Sequence, residues 1–385
     1  MHRIRPLRLL LLIALALAAR ARAAEHVWAE VATPAEGAEV REPYGLVEIR
    51  GTAGTGLPGK HDVAIAIDLS GSTWGPTGAD VDGDHIIGKP FRTGLPGETY
   101  ERLTDPDDSI VSAEVSAARR FVTRLDPSTT RIALIAFAGS DRVLAPLGTG
   151  RDELLHALEG LASHPLEGGT YFSGGVMAAV DSLVNAPPDG GPRTRSIILL
   201  SDGLPNQPDP PAKAEMWAVH AAQRAAQAGI RIYAFALGPE VVSNPGVFRA
   251  LTDASGGELL MVEQPAEVLD YLPHVSLTHL DRVEVENLTS GGVARAVRLF
   301  PDGSFDAWAP LIPGRNRLQV RVVAQSGAQL NVEREVTFEQ VQDEQRRQLL
   351  IQALRDRTLE TELAAQARQK REKALRRTLE INGEH

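Results

Sequence analysis

The sequence predicts an α/β protein, a doubly wound and mostly parallel sheet accompanied by a flanking β-sandwich and a C-terminal helix. Three observations predict it. Continuous apolar runs recur at 63–67 (VAIAI), 131–137 (RIALIAF), 196–200 (SIILL) and 230–237 (IRIYAFAL), the pattern of strands buried on both faces. Helical periodicity separates them at 109–125, 151–161, 172–184 and 212–228, the last stopped by Gly229. Outside this block the texture changes to short alternating strands with turn signals, VWAEV and GLVEIRGTA before it, VEVENL to LNVEREVTF after it.

Taken in order, residues 1–23 combine a basic start (Arg3, Arg5, Arg8), an apolar run over 9–19 and a small-x-small site at Ala21-Arg22-Ala23. That is the layout of a cleaved secretory signal, and the run falls short of the roughly 20 residues that span a bilayer. The mature protein is therefore expected to be periplasmic or secreted, with no transmembrane segment after cleavage of the signal. Residues 24–60 are too few to bury a core alone, but with 281–340 they supply about seven short strands, the size of one immunoglobulin-like sandwich. The expectation is therefore a split sandwich (24–60 plus 281–340) into which an α/β domain, 61–280, is inserted. The alternative is two unrelated β extensions. Residues 341–385 contain no proline and only Gly383, so they read as one charged helical tail. Its leucines pair locally (Leu350 with Leu354, Leu359 with Leu363) without a steady heptad, and the basic stretch 368–377 is either a solvated face or a docking surface for acidic groups.

Composition narrows the chemistry. The chain has 385 residues, of which 43% are hydrophobic and 23% charged, ordinary values for a folded protein. It has 0 cysteines, which excludes disulfides, thiolate metal sites and thiol nucleophiles. The net charge is -10, and removing a signal that carries five arginines leaves the body more acidic still. An acidic body repels nucleic acid, so none is expected as a partner.

Directly after the first buried run stands Asp68-Leu69-Ser70-Gly71-Ser72, a loop at the carboxyl end of a strand, where open α/β sheets bind ligands. A carboxylate and two hydroxyls there are hard oxygen donors suited to magnesium, manganese or calcium. Two further loops of the same block, Gly168-Gly169-Thr170 and Ser201-Asp202-Gly203, offer similar groups. In that order and on that pattern, DLSGS, GGT and SDG resemble the von Willebrand factor type A (VWA) domain with its metal-ion-dependent adhesion site. The resemblance covers about 61–280. It implies that Ser70 and Ser72 bind Mg2+ or Mn2+ directly, Thr170 directly or through water, and Asp68 and Asp202 mostly through water. It also implies a protein partner whose Asp or Glu completes the coordination.

The departure from the simple pattern is an insertion at 73–108, beside the binding face and so placed to shape specificity. Within it, Asp80, Asp82 and Asp84 resemble the first three acids of a calcium loop, but His85 replaces the usual glycine at position 6 and Phe91 the bidentate acid at position 12. Ca2+ closed by Asp105, Asp107 or Asp108 is one reading; a solvated acidic loop is the other. Gly54 to Lys60 approaches a phosphate-binding loop, but a strand follows where a helix is required. The motifs H-E-x-x-H and G-x-S-x-G do not occur, and neither a general base nor a nucleophile accompanies the oxygen cluster. The expectation is a non-enzymatic, exported, adhesion-type binding module, with an envelope scaffold whose metal only stabilises the sheet edge as the alternative.

Overall fold

In the computed structural model the run 63–67 lies in the strand Lys60–Asp68, near the middle of a six-stranded sheet. Strand order is Glu258–Val262, Ile230–Leu237, Arg193–Ser201, Lys60–Asp68, Thr130–Phe137 and Asp141–Ala145. The first five are parallel, and the last is an antiparallel edge hairpin. The structure describes residues 26–56, 58–92, 102–161, 168–188 and 191–383; the signal expected at 1–23 and part of the insertion, 93–101, lie outside them.

Alternation along the central strand shows why its sequence is apolar throughout. Val63, Ile65 and Ile67 face a core shared with the helices Ile110–Thr123 and Arg151–Leu161. Ala64 and Ala66 face a second core shared with Phe172–Val184, Pro211–Gln227 and Gly246–Ser255. The second face is rich in alanine on both sides, Ala234 and Ala236 from the strand Ile230–Leu237 against Ala218, Ala221, Ala222 and Ala225 from the helix Pro211–Gln227. Small side chains on both layers let the helix approach the sheet closely, whereas each large apolar group buried on the other face contributes roughly 1.5–3 kcal/mol. The chain runs from Lys60–Asp68 outward to one edge, then returns to place Arg193–Ser201 on the other side of it. That reversal opens a crevice at the carboxyl ends of these two neighbouring strands, where Asp68 and Ser201 stand.

At the opposite end of the same strand, Asp62 is buried and accepts from Arg131 Nε and Nη2 at 2.8 Å each and from Arg193 Nε at 2.6 Å. The three residues come from three adjacent strands, so this ion cluster ties the sheet together away from the crevice.

The insertion leaves and re-enters the fold at one place. Ile110 N–H donates to Gly75 O at 3.0 Å, and Thr77 Oγ1 donates to Asp108 O at 2.8 Å. Ser109 caps the helix Ile110–Thr123 by accepting from Ser112 N–H.

The chain divides into two units, with boundaries at Pro58/Gly59 and Leu277/Thr278. Phe300–Asp302 and the chain from Leu359 group with the α/β unit. The other unit is a β-sandwich of a 4-stranded and a 5-stranded sheet, nine strands among the described residues where about seven were expected. Both flanks contribute to each sheet: one runs in the order Val27–Thr33, Leu46–Thr55, Ser304–Pro310, Arg295–Leu299, and in the other Ala38–Glu42 lies parallel to Gln329–Gln340. Val27, Val31, Ile49 and Phe305 of one sheet meet Val285, Val320 and Phe338 of the other in one core. The tail forms the helix Glu344–Gly383, and in the sandwich unit Arg357 pairs with Glu48 and lies 5.4 Å over the Trp308 ring. Among the described residues, no helix is long and apolar enough to cross a membrane.

Candidate metal centre

The DLSGS loop is shaped by its own backbone. Leu69 N–H donates to Phe137 O at 2.7 Å, which extends the sheet by one residue, and the chain then turns into a short 3₁₀ helix, Gly71–Trp74, with Ser70 at its N-cap. Asp68 is buried and locks this turn by accepting from Ser70 N–H at 2.8 Å. Its other oxygen accepts from Ser201 Oγ at the end of the adjacent strand. Ser70 Oγ lies 3.3 Å from Ser72 Oγ, and Ser72 Oγ donates to Asp202 Oδ1 at 2.7 Å. Ser72 is exposed whereas Asp68 and Ser70 are buried, so the cluster has a floor and a mouth.

The third loop reaches the same place. Thr170 N–H donates to Asn206 Oδ1 at 2.8 Å, and Asn206 N–H donates back to Thr170 O at 3.2 Å. Gly169 is required by this latch: a Cβ there would stand 2.1 Å from Asn206 Oδ1. Gly168, with φ +119, passes Gly139 so closely that a Cβ would fall 2.6 Å from its Cα. Around Gly203 the loops converge, since a Cβ at that glycine would lie 3.1 Å from Thr170 Oγ1 and 3.7 Å from Ser72 Oγ. The structure thus brings together Asp68, Ser70, Ser72, Thr170 and Asp202 from three loops of one sheet edge.

Electrostatics at this cluster are one-sided. Burial pushes the Asp68 carboxyl up, against the hydrogen bonds from Ser201 and Ser70. Burial, then the charge of Asp68, pushes Asp202 up, against the hydrogen bond from Ser72. A further acid, which sequence reasoning missed, belongs to the same field. Glu114 is fully buried on the helix Ile110–Thr123, and neither of its carboxylate oxygens meets a donor among the described residues. Burial, then the charges of Asp68 and Asp202, raises its pKa well above the ordinary range. A signal for it exists in the sequence: with Ile110, Ala117, Ala118 and Phe121, Glu114 occupies the apolar stripe of its helix, where a carboxylate has no business unless something compensates it. An unpartnered buried polar group costs about 1–3 kcal/mol, more if charged.

This donor set fits a divalent cation. Hydroxyls and carboxylates are hard oxygen ligands, the groups acting most strongly on Glu114 and Asp202 are themselves acids, and Glu114 adds a buried carboxyl with no donor among the described residues.

The insertion carries a second cluster. Asp80 accepts from Gly83 N–H at 2.6 Å and His85 N–H at 2.9 Å, Asp82 from Asp84 N–H at 3.1 Å, and Asp84 from Ile86 N–H at 2.7 Å. His85 takes φ 71, the left-handed conformation that the absent glycine would have supplied. Two sets of carboxylates lie with one oxygen from each residue within 4.8 Å of the others: Asp80, Asp82 and Asp108, and Asp82, Asp84 and Asp105. Asp105 and Asp108 thus come to the loop from the far end of the insertion, in neither case from position 12; Asp107 is in neither set. The buried Asp108 accepts from Val81 N–H at 2.6 Å and Gly88 N–H at 2.7 Å.

Comparison with solved structures finds low-identity likenesses. The conserved hypothetical protein BatB from Bacteroides thetaiotaomicron is 21% identical, with 53% of this chain and 91% of that chain covered and a TM-score of 0.37. Proximal thread matrix protein 1 from the mussel byssus, in a structure described as having a zinc-occupied MIDAS motif, is 15% identical, with 54% and 42% covered and a TM-score of 0.36. The pilus adhesin SpaC from Lactobacillus rhamnosus GG, in its open conformation, is 12% identical, with 80% and 46% covered and a TM-score of 0.41. No curated protein matches the sequence. The family model of the von Willebrand factor type A domain matches residues 109–255, a span that begins just after the insertion and includes Thr170 and Asp202.

Proposed function

We propose that this chain is an exported, non-enzymatic binding protein whose α/β unit captures an acidic group of a protein partner through a divalent cation at Asp68, Ser70, Ser72, Thr170 and Asp202. The observation that carries the reading is the convergence of these five oxygen-bearing side chains at one crevice in a one-signed field. When bound, a magnesium or manganese ion supplies a Lewis-acidic position for a partner's Asp or Glu. Asp68 braces the turn that presents Ser70 and Ser72, and Asp202 holds the exposed Ser72 hydroxyl in place. Asn206 fixes the backbone of Thr170, and Gly169 leaves room for that latch. In this reading Ser70 and Ser72 are direct ligands, Thr170 binds directly or through water, and the two aspartates act mostly through water. An ion held mainly by neutral hydroxyls keeps positive charge for an incoming anion that the acidic body would otherwise repel.

The insertion is assigned a supporting role: calcium bound among Asp80, Asp82, Asp84, Asp105 and Asp108 would set the shape of the segment beside the crevice. Support comes from the two carboxylate sets and the left-handed His85.

The test is capture of partners from the native cell envelope by wild type, Asp68→Ala and Thr170→Ala, with saturating magnesium and with chelator. Capture is expected to require the cation and to be lost in Asp68→Ala. Thr170→Ala should weaken capture more than it weakens cation affinity. Undiminished capture by both variants, or in chelator, would return the protein to the role of an envelope scaffold whose ion only stabilises the sheet edge.

A further inference from the structure

Glu114 is fully buried on the helix Ile110–Thr123, which packs on the strand Lys60–Asp68 and on the Gly71–Trp74 turn, and the five-residue site leaves it unexplained. It takes a position on the apolar stripe of the helix Ile110–Thr123 that Leu or Met would fill without an unpartnered polar group. Neither oxygen meets a donor among the described residues, and the charges it feels most are those of Asp68 and Asp202. Protonation alone does not account for it, because a neutral carboxyl at this place would still bury a hydroxyl and a carbonyl without partners. Packing does not account for it either, since the neighbouring stripe residues Ile110, Ala117 and Phe121 belong to an apolar core. What three buried carboxyls in one electrostatic field lack is a compensating positive charge. The crevice is where one is expected to sit.

We infer that Glu114 is a third carboxylate of the cation site, a positioning residue that acts as a counter-charge from beneath the hydroxyl loops and sets how strongly a divalent ion is held. The inference rests on the reading of Asp68, Ser70, Ser72, Thr170 and Asp202 as a cation site. It adds a residue from a helix, outside the three loops, and it makes affinity for the ion partly a property of the buried core. Outer-shell partners of metal ligands change affinity by roughly 10–100-fold when removed, which is the scale expected here.

The experiment uses the full chain and the metal alone. Manganese and magnesium dissociation constants are measured by calorimetric titration, and melting temperatures are measured in chelator, for wild type, Glu114→Gln, Glu114→Leu and Asp68→Ala. Glu114→Gln keeps the shape and removes the charge, so it should bind both ions roughly 10–100-fold more weakly. In chelator it should melt no lower than wild type, because a buried ionisable acid is replaced by a neutral group of the same shape. Glu114→Leu, which restores the apolar stripe, should melt higher than wild type in chelator and bind the ions as weakly as Glu114→Gln. A merely structural Glu114 would give the opposite pair: lower melting in chelator and unchanged dissociation constants. Unchanged constants in both Glu114 variants, with binding lost in Asp68→Ala, would overturn this inference and leave the five-residue site standing. No binding by wild type, or equal binding by wild type and Asp68→Ala, would overturn both.

Discussion

Asp68→Asn separates the charge of the crevice from its shape. Asn retains an acceptor for Ser70 N–H, the bond that closes the turn at 2.8 Å, and its amide can donate to Ser201 Oγ in place of the bond that Ser201 now donates. One buried negative charge disappears. At a magnesium concentration about 100 times the wild-type dissociation constant, the ion stabilises the native state by about 2.7 kcal/mol. For a unit of this size a kilocalorie moves the melting temperature by about 2–4 °C, so the shift should be about 5–11 °C. An affinity loss of roughly 10–100-fold leaves about 1.4 to 0.4 kcal/mol at the same concentration, and the shift in Asp68→Asn should shrink to about 1–6 °C. The sign of the pH dependence is a second check. Burial raises the folded-state values of Asp68 and Asp202 above those of the unfolded chain, so the native state binds these protons more tightly. Without metal, their contribution to stability is therefore greatest below about pH 4 and is lost as pH rises through the folded values, about 6 for Asp68 and about 8 for Asp202, where the buried carboxylates must ionise. The magnesium-induced shift should grow over that window, and the metal-free slope should be shallower in Asp68→Asn. Differential scanning calorimetry at pH 5 and 7.5, with magnesium and with chelator, reads both quantities. Shifts that are equal at the two pH values, or equal in wild type and variant, would refute the reasoning.

Other perturbations separate the parts of the molecule. Asp62→Asn leaves Arg131 and Arg193 facing each other without their shared acid and should cost about 3–5 kcal/mol in denaturant unfolding, with cation affinity unchanged because the cluster lies at the far end of its strand. Attraction from the two arginines outweighs burial and lowers the Asp62 pKa, so its stabilisation is present above the ordinary carboxylate range and is lost only as pH falls through the lowered value. Gly169→Ala drives a methyl to within 2.1 Å of Asn206 Oδ1 and should unlatch Thr170, seen as weaker manganese binding with a smaller change in melting temperature. Calcium at micromolar to millimolar levels should protect the insertion from protease, and Asp82→Ala, which removes the residue common to both carboxylate sets, should abolish protection without altering the magnesium response. Cleavage that ignores calcium in both proteins would leave a solvated acidic loop.

How much of this was legible in advance differs from element to element. The central strands and the helices 172–184 and 211–227 stood out because their patterns are long and local. The edge strands Asp141–Ala145 and Glu258–Val262 did not: both are short, and the first is largely exposed and pairs on one side with Thr130–Phe137. Asp62 carried no signal either, because its arginines come from strands far away in sequence.

By itself the sequence determined the alternation of strand and helix, the β-rich flanks, and the placing of Asp68, Ser70, Ser72, Thr170 and Asp202 on loops at strand or helix ends. These follow from periodicity and from turn residues, which act over a few positions of the chain. Tertiary structure alone decided which groups meet. It interleaved the two flanks into both sheets of one sandwich, closed the acidic loop with Asp105 and Asp108 instead of a residue at position 12, and buried Glu114 where the charges of Asp68 and Asp202 act on it. The physical reason is that charge and coordination act through space, between side chains that the strand order brings together, whereas the patterns that form strands and helices act along the chain.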